Sequence, residues 1–126
     1  MVHRWSILIT LAGLMAATSV NAESGDAAKG EKVFQQCKTC HTLEKGGKNG
    51  VGPNLFNVLG RKAGGVDGFN YSDAMKTSGI VWNEAILAEY VGNPKQRIPN
   101  NKMAFVGIKK QDQLDDLIAY LKKVGQ

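Results

Sequence analysis

The chain has 126 residues, which limits it to one small domain. Its 16 Lys and Arg against 11 Asp and Glu give a net charge of +5, dispersed and without the dense arginine clusters of nucleic-acid binders. A negatively charged protein surface is the partner such a charge fits.

The first 22 residues, MVHRWSILITLAGLMAATSVNA, begin with His3 and Arg4, continue through an apolar run from Ile7 to Ala17 and end in small residues. They read as a secretory signal peptide cut after Ala22, because the apolar run falls short of the ~20 residues that span a bilayer. Removing residues 1–22 of 126 leaves 104, with 15 basic and 11 acidic side chains and a net charge of +4. An apolar core of that size is marginal alone, so something further is expected to hold the domain together.

The spacing of Ala27, Gly30, Val33 and Phe34 predicts an amphipathic helix over residues 26–36. Gly30 costs that helix about 1 kcal/mol relative to alanine, a cost that a close helix crossing explains. Residues 46–68 hold eight glycines in 23 positions, far above the usual ~7%, and no regular element fits there. Short helices are predicted through YSDAMKTS, ending at Gly79, and through NEAILAEYV, with Asn83 as N-cap and Pro94 as the stop after Gly92. The stretch NPKQRIPNNKMAFVGIKK has two prolines and little periodicity and reads as a loop. The strongest helix lies in KKQDQLDDLIAYLKKVGQ. There Leu114, Leu117, Ile118, Leu121 and Val124 form one stripe, with acids early and Lys122 and Lys123 late, as the helix dipole favours. The first and last helices are expected to pack on each other.

Three to five helices are thus joined by two loops of roughly twenty residues, a length uncommon in compact domains unless the loops are functional or wrap something. Tyr71, Trp82, Tyr90 and Phe105 lie in or beside them, as walls for an apolar object.

The sequence CKTCH, residues 37–41, names the object's anchor. A disulfide between Cys37 and Cys40 closes too small a loop to stabilise much. A structural zinc site needs four ligands, and residues 23–126 contain two cysteines and one histidine. A thioredoxin-like dithiol needs alternating strands and helices, and no strand pattern is present. What remains is C-x-x-C-H, the attachment signature of c-type haem, in which two thioethers tether the porphyrin and the histidine binds iron from one side. On a helical turn Cys37 and Cys40 share one face, so both can reach one porphyrin edge.

The second axial ligand decides the chemistry, because a strong one closes the iron and leaves electron transfer. After His41 no histidine remains, which leaves methionine or lysine. Of the methionines beyond the leader, Met75 sits in a predicted helix, and Met103 sits in the proline-bracketed loop with no apolar pattern to belong to. The competing reading is a haem enzyme or gas sensor with an open sixth site. A peroxidase would need a distal base, and residues 23–126 offer no second histidine for that role.

Together with CKTCH, the segments GPNLFNVLGRKAG, GFNYSDAM, GIVWNEAILAEYVGNPKQRIPNNKMAFVGIKK and LIAYLK resemble the class I cytochromes c, in the branch of mitochondrial cytochrome c and bacterial cytochrome c2. The resemblance covers nearly all of residues 23–126. It implies an all-α class I cytochrome c fold, three to five helices and long loops wrapped around one haem c held by Cys37 and Cys40, with His41 and Met103 as axial ligands. It further implies that the Pro53 carbonyl receives the His41 N–H, which fixes the ring and raises its basicity. Arg61, Tyr71 and Trp82 match positions that hydrogen-bond or shield a haem propionate. Tyr90 and Phe105 match residues beside the haem on the methionine side. Gly30, Phe34, Leu117 and Tyr120 match the crossing of the terminal helices.

The chain departs from the mitochondrial pattern in two places. Met75 replaces an asparagine and Asn101 a threonine, both members of a network around a buried water, so the resemblance does not carry that network over. Of the lysine ring at the exposed haem edge, Lys95, Lys102, Lys109 and Lys110 match, while Gln36, Gly50 and Gln96 replace lysines. The implied function is that of a soluble, monomeric, periplasmic electron carrier that shuttles single electrons between redox complexes with acidic docking surfaces. It performs no substrate chemistry, binds no nucleic acid and spans no membrane once the leader is cut.

Overall fold

The computed structural model describes residues 25–126, so the expected leader lies outside the described residues. Five helices follow in order: α1 (Ala27–Phe34), α2 (Asp73–Lys76), α3 (Glu84–Gly92), α4 (Pro94–Arg97) and α5 (Gln111–Val124). Among the described residues there is no strand, only an isolated antiparallel bridge between Lys62 and Val81. No described helix is long and apolar enough to cross a membrane.

The caps explain where the elements begin. The Asp26 side chain accepts from the Ala28 and Lys29 N–H groups, Ser72 from Met75, and Asn83 from Ile86, each satisfying donors that a helix start leaves open. α1 stops at Phe34 rather than reaching Gln36, and turns carry the chain on through the CKTCH segment. Pro94 does end α3, but it also opens α4 within the stretch expected to be a loop. A proline at the first helical position loses no hydrogen bond, and Asn93 caps α4 by accepting from Gln96.

α1 and α5 cross at Gly30. A Cβ there would overlap the Asp116 carbonyl and lie 2.7 Å from Tyr120 Cβ, so only glycine allows the approach. Phe34 and Leu117 are almost wholly buried at the crossing, the Phe34 and Tyr120 rings sit 5.5 Å apart, and the Asp26 N–H donates to Asp116 Oδ1 at 2.7 Å. The expected apolar stripe of α5 holds from Leu114 to Leu121 but not at Val124, which is 42% exposed. Val124 lies in the last turn, and the next residue, Gly125, accepts the Asn57 N–H at 2.6 Å.

The glycine-rich loop is pinned without forming a sheet. Gly60 N–H donates to Trp82 O, Trp82 N–H to Arg61 O and Ala63 N–H to Ile80 O, at 2.7 to 2.9 Å. These bonds bring Arg61 and Trp82, 21 residues apart, to the rim of one hollow.

Candidate functional site

That hollow is a cavity of about 440 Å³ between α1, α3, α5 and the two long loops. Cys37, Cys40, His41, Pro53, Arg61, Tyr71, Trp82, Tyr90, Met103 and Phe105, the ten residues singled out in the sequence, all line it. Met75 lines it as well. The remaining wall is largely Leu55, Val58, Leu87, Leu117 and Leu121, so the interior is apolar with few polar groups, the usual make-up of a site for a flat organic ligand.

Main-chain turns present the CKTCH residues. Cys40 N–H and His41 N–H both donate to Cys37 O, at 3.1 and 2.9 Å. His41 Nδ1 lies 2.7 Å from Pro53 O. A carbonyl only accepts, so Nδ1 carries the proton and Nε2 keeps the ring's lone pair. Burial holds the His41 pKa below its usual value against the opposing Pro53 bond, and the Arg61 charge lowers it further, so the imidazole is neutral near pH 7 and able to ligate a metal. Gly52 presses on the ring face: a Cβ at that position would overlap His41 Cε1. Asn54 ties the wall together. Its Nδ2 donates to Thr42 Oγ1 and Glu44 O, its Oδ1 accepts from Phe56 N–H, and its carbonyl accepts from Arg61.

Cys37 and Cys40 are not joined to each other, and burial, reinforced by Cys40, pushes the Cys37 thiol up to about 11. It is protonated at neutral pH and therefore a poor nucleophile until something draws the proton away. Arg61 donates to Phe56 O and Asn54 O, which fixes a cation in the wall, half-buried and with its pKa pulled down by that burial. Tyr71 Oη accepts from Val66 N–H at 3.1 Å and its ring meets Phe69 edge-on. The Trp82 and Tyr90 rings pack 5.1 Å apart, and burial pushes the Tyr90 hydroxyl up to about 12.

Among the described residues no group of three or more His, Cys, Asp or Glu could hold a bare metal ion. One basic imidazole nitrogen, two thiols on the same rim and apolar walls fit a metal that arrives inside an organic macrocycle. The chemistry of the donor set therefore matches haem attached through thioethers.

Sequence reading overlooked the bonding of Asn101. It entered only as a departure from a pattern, yet its side chain makes four hydrogen bonds beside Met103. Lys109 was read as a docking charge, and its ammonium donates to Gly92 O at 2.9 Å and Val106 O at 3.1 Å, covering the C-terminal end of α3.

A family model described as cytochrome c matches residues 27–125. The chain is 50% identical over 117 residues to a cytochrome c2 of Rhodomicrobium vannielii, covering 92% of this chain and 94% of that protein. It is 55% identical over 102 residues to a cytochrome c of Theileria annulata, covering 80% of this chain and 88% of that one. Among solved structures, cytochrome cH from Methylobacterium extorquens superposes with a TM-score of 0.74 at 52% identity, covering 79% of this chain and 99% of its own.

Proposed function

The chain belongs to the class I cytochrome c family, and from that premise we propose that it is exported to the periplasm, where it shuttles single electrons between redox complexes with His41 and Met103 as axial ligands. As a family member it is an electron carrier whose cofactor is one haem c, joined through Cys37 and Cys40. When bound, haem supplies a one-electron couple between ferric and ferrous iron, and a thioether as second ligand favours the ferrous form.

The protein's own part is to hold ligands and exclude water. Pro53 O fixes the His41 ring and, by accepting a hydrogen bond from Nδ1–H, makes Nε2 a more basic ligand. Arg61 is positioned by two carbonyls as a counter-charge for a propionate, with Tyr71 and Trp82 screening it. Tyr90 and Phe105 pack the side on which Met103 lies. Lys95, Lys102 and Lys110, exposed beside these loops, supply the field that attracts acidic partners. The leader, cut after Ala22, supports the periplasmic location, and N-terminal sequencing of periplasmic protein should begin at Glu23.

The 2.7 Å bond from His41 Nδ1 to Pro53 O, in a wall shared with both cysteines, is the single observation that carries this reading. The ligand assignment has a direct test. Met103→Ala should remove the methionine-to-iron band of the ferric protein near the red edge of the visible spectrum, let the ferrous protein bind carbon monoxide readily and lower the potential, whereas Met75→Leu should do none of these. If Met103→Ala keeps the band and Met75→Leu loses it, the assignment is reversed.

A further inference from the structure

The segment that carries Met103 has little main-chain support. Within residues 101–110 the main-chain to main-chain bonds, apart from the one by which Lys110 O receives the start of α5, are Asn101 N–H to Ile98 O at 3.2 Å, Phe105 N–H to Met103 O at 3.0 Å and Ile108 N–H to Val91 O at 3.0 Å. The first of these closes a turn with Pro99 at its second position and Asn100 at its third. Asn100 has φ 66°, as a type II turn demands, and asparagine tolerates that region better than most residues.

That turn delivers the Asn101 side chain into the angle between α3, α4 and the methionine loop. Its Nδ2 donates to Pro94 O and Ile98 O, both at 2.8 Å. Its Oδ1 accepts from the Met103 N–H at 2.8 Å and from the Tyr90 hydroxyl at 3.3 Å. An amide has two donor hydrogens and one oxygen with two lone pairs, and here all four are used. A serine or threonine hydroxyl has one donor and could not bond both carbonyls at once.

We propose that Asn101 is the positioning residue of the sixth ligand. It clamps the Met103 main chain to α3 and α4 and so sets how often the iron opens to an outside ligand. The inference rests on the reading of Met103 as that ligand, and it makes the clamp a direct side-chain device of this chain. Losing the amide strands the Met103 N–H and takes the second bond from Pro94 O and Ile98 O, which keep the Ile98 and Asn101 N–H groups; one stranded donor is large enough to shift an open-to-closed equilibrium about tenfold.

The test uses the full-length holoprotein with Asn101→Ala, Asn101→Asp, Tyr90→Phe and Met103→Ala, reading carbon monoxide binding to the ferrous form, the methionine-to-iron band and the denaturant midpoint. Asn101→Ala should speed carbon monoxide binding about tenfold or more and weaken the band. Asn101→Asp, which keeps the acceptor but loses both donors, should speed it several-fold, and it carries the test if the alanine variant does not fold. Tyr90→Phe, which removes only the longest bond, should change it least. If Asn101→Ala and Asn101→Asp bind carbon monoxide at the parent rate with an intact band while the denaturant midpoint falls, Asn101 is only structural and the proposal is overturned. If Met103→Ala itself keeps the band, the ligand assignment fails instead, so the two failures are distinguishable.

Discussion

The two walls of the cavity differ in how much of each the main chain holds by itself. On the histidine side the main chain bonds to itself, Cys40 and His41 to Cys37, Gly52 to Cys40 and Leu55 to Thr42, at 2.8 to 3.1 Å, and the Asn54 side chain adds to a frame that already stands. On the methionine side the chain from residue 101 to 110 is held largely by side chains, those of Asn101, Lys102 and Lys109. Main-chain bonds survive most substitutions, and side-chain bonds do not. The histidine wall is therefore the fixed half of the site, and the methionine wall is the half that single substitutions can loosen or tighten.

The largest expected effect removes the object both walls face. A Cys37→Ala, Cys40→Ala protein cannot hold haem covalently, and ordering the eight glycines of residues 46–68 then costs entropy with no haem contact to offset it. It should show no cooperative thermal transition by circular dichroism, and a sharp one would mean that the walls support themselves. Next is Gly52→Ala on the fixed side. The added Cβ overlaps a ring that Pro53 will not release, so stability should fall by about 1–3 kcal/mol in urea titration. Carbon monoxide binding should stay near the parent rate. Were Gly52→Ala to open the iron as readily as Asn101→Ala, the contrast between the walls would collapse.

Alkali probes the methionine side. Tyr90 is raised to about 12 by burial from an unfolded value near 10, so the folded state holds its proton more tightly. That contribution is fully present below pH 10 and is lost as pH rises from 10 to 12, with a slope of at most about 1.4 kcal/mol per pH unit. Urea midpoints at pH 9 and 11 should converge between parent and Tyr90→Phe as pH rises. Parallel midpoints would place the hydroxyl in solvent.

Local signals made much of this molecule readable. Asp26, Ser72 and Asn83 each precede a helix and each caps it, and CKTCH needs only five residues to declare its chemistry. Three features escaped because they depend on distant partners. Val124 continues the apolar period of α5, but at the last turn of the helix it is exposed. Pro94 reads equally as a stop or a start, and only the position of Asn93 between α3 and α4 settles which. Asn101 carries no periodicity at all; its role lies in carbonyls three and seven residues away and in a hydroxyl on another helix.

The smallest effect separates two neighbouring lysines that composition treats as equal. Lys110 is exposed, and as the N-cap of α5 it makes no side-chain capping bond, so Lys110→Gln should act through the field alone. Association with an acidic redox partner should slow a few-fold at low salt and the difference should fade once the Debye length falls to about 8 Å near physiological salt. Lys109 is also exposed, but its ammonium spans Gly92 O and Val106 O, and a glutamine in its place is too short to keep both bonds. Lys109→Gln should show the same salt-dependent slowing and, in addition, lose about 1 kcal/mol of stability that salt does not restore. Stopped-flow association and urea titration on the two variants check this. Identical behaviour would make Lys109 a surface charge only and remove one of the side-chain ties that distinguish the methionine wall.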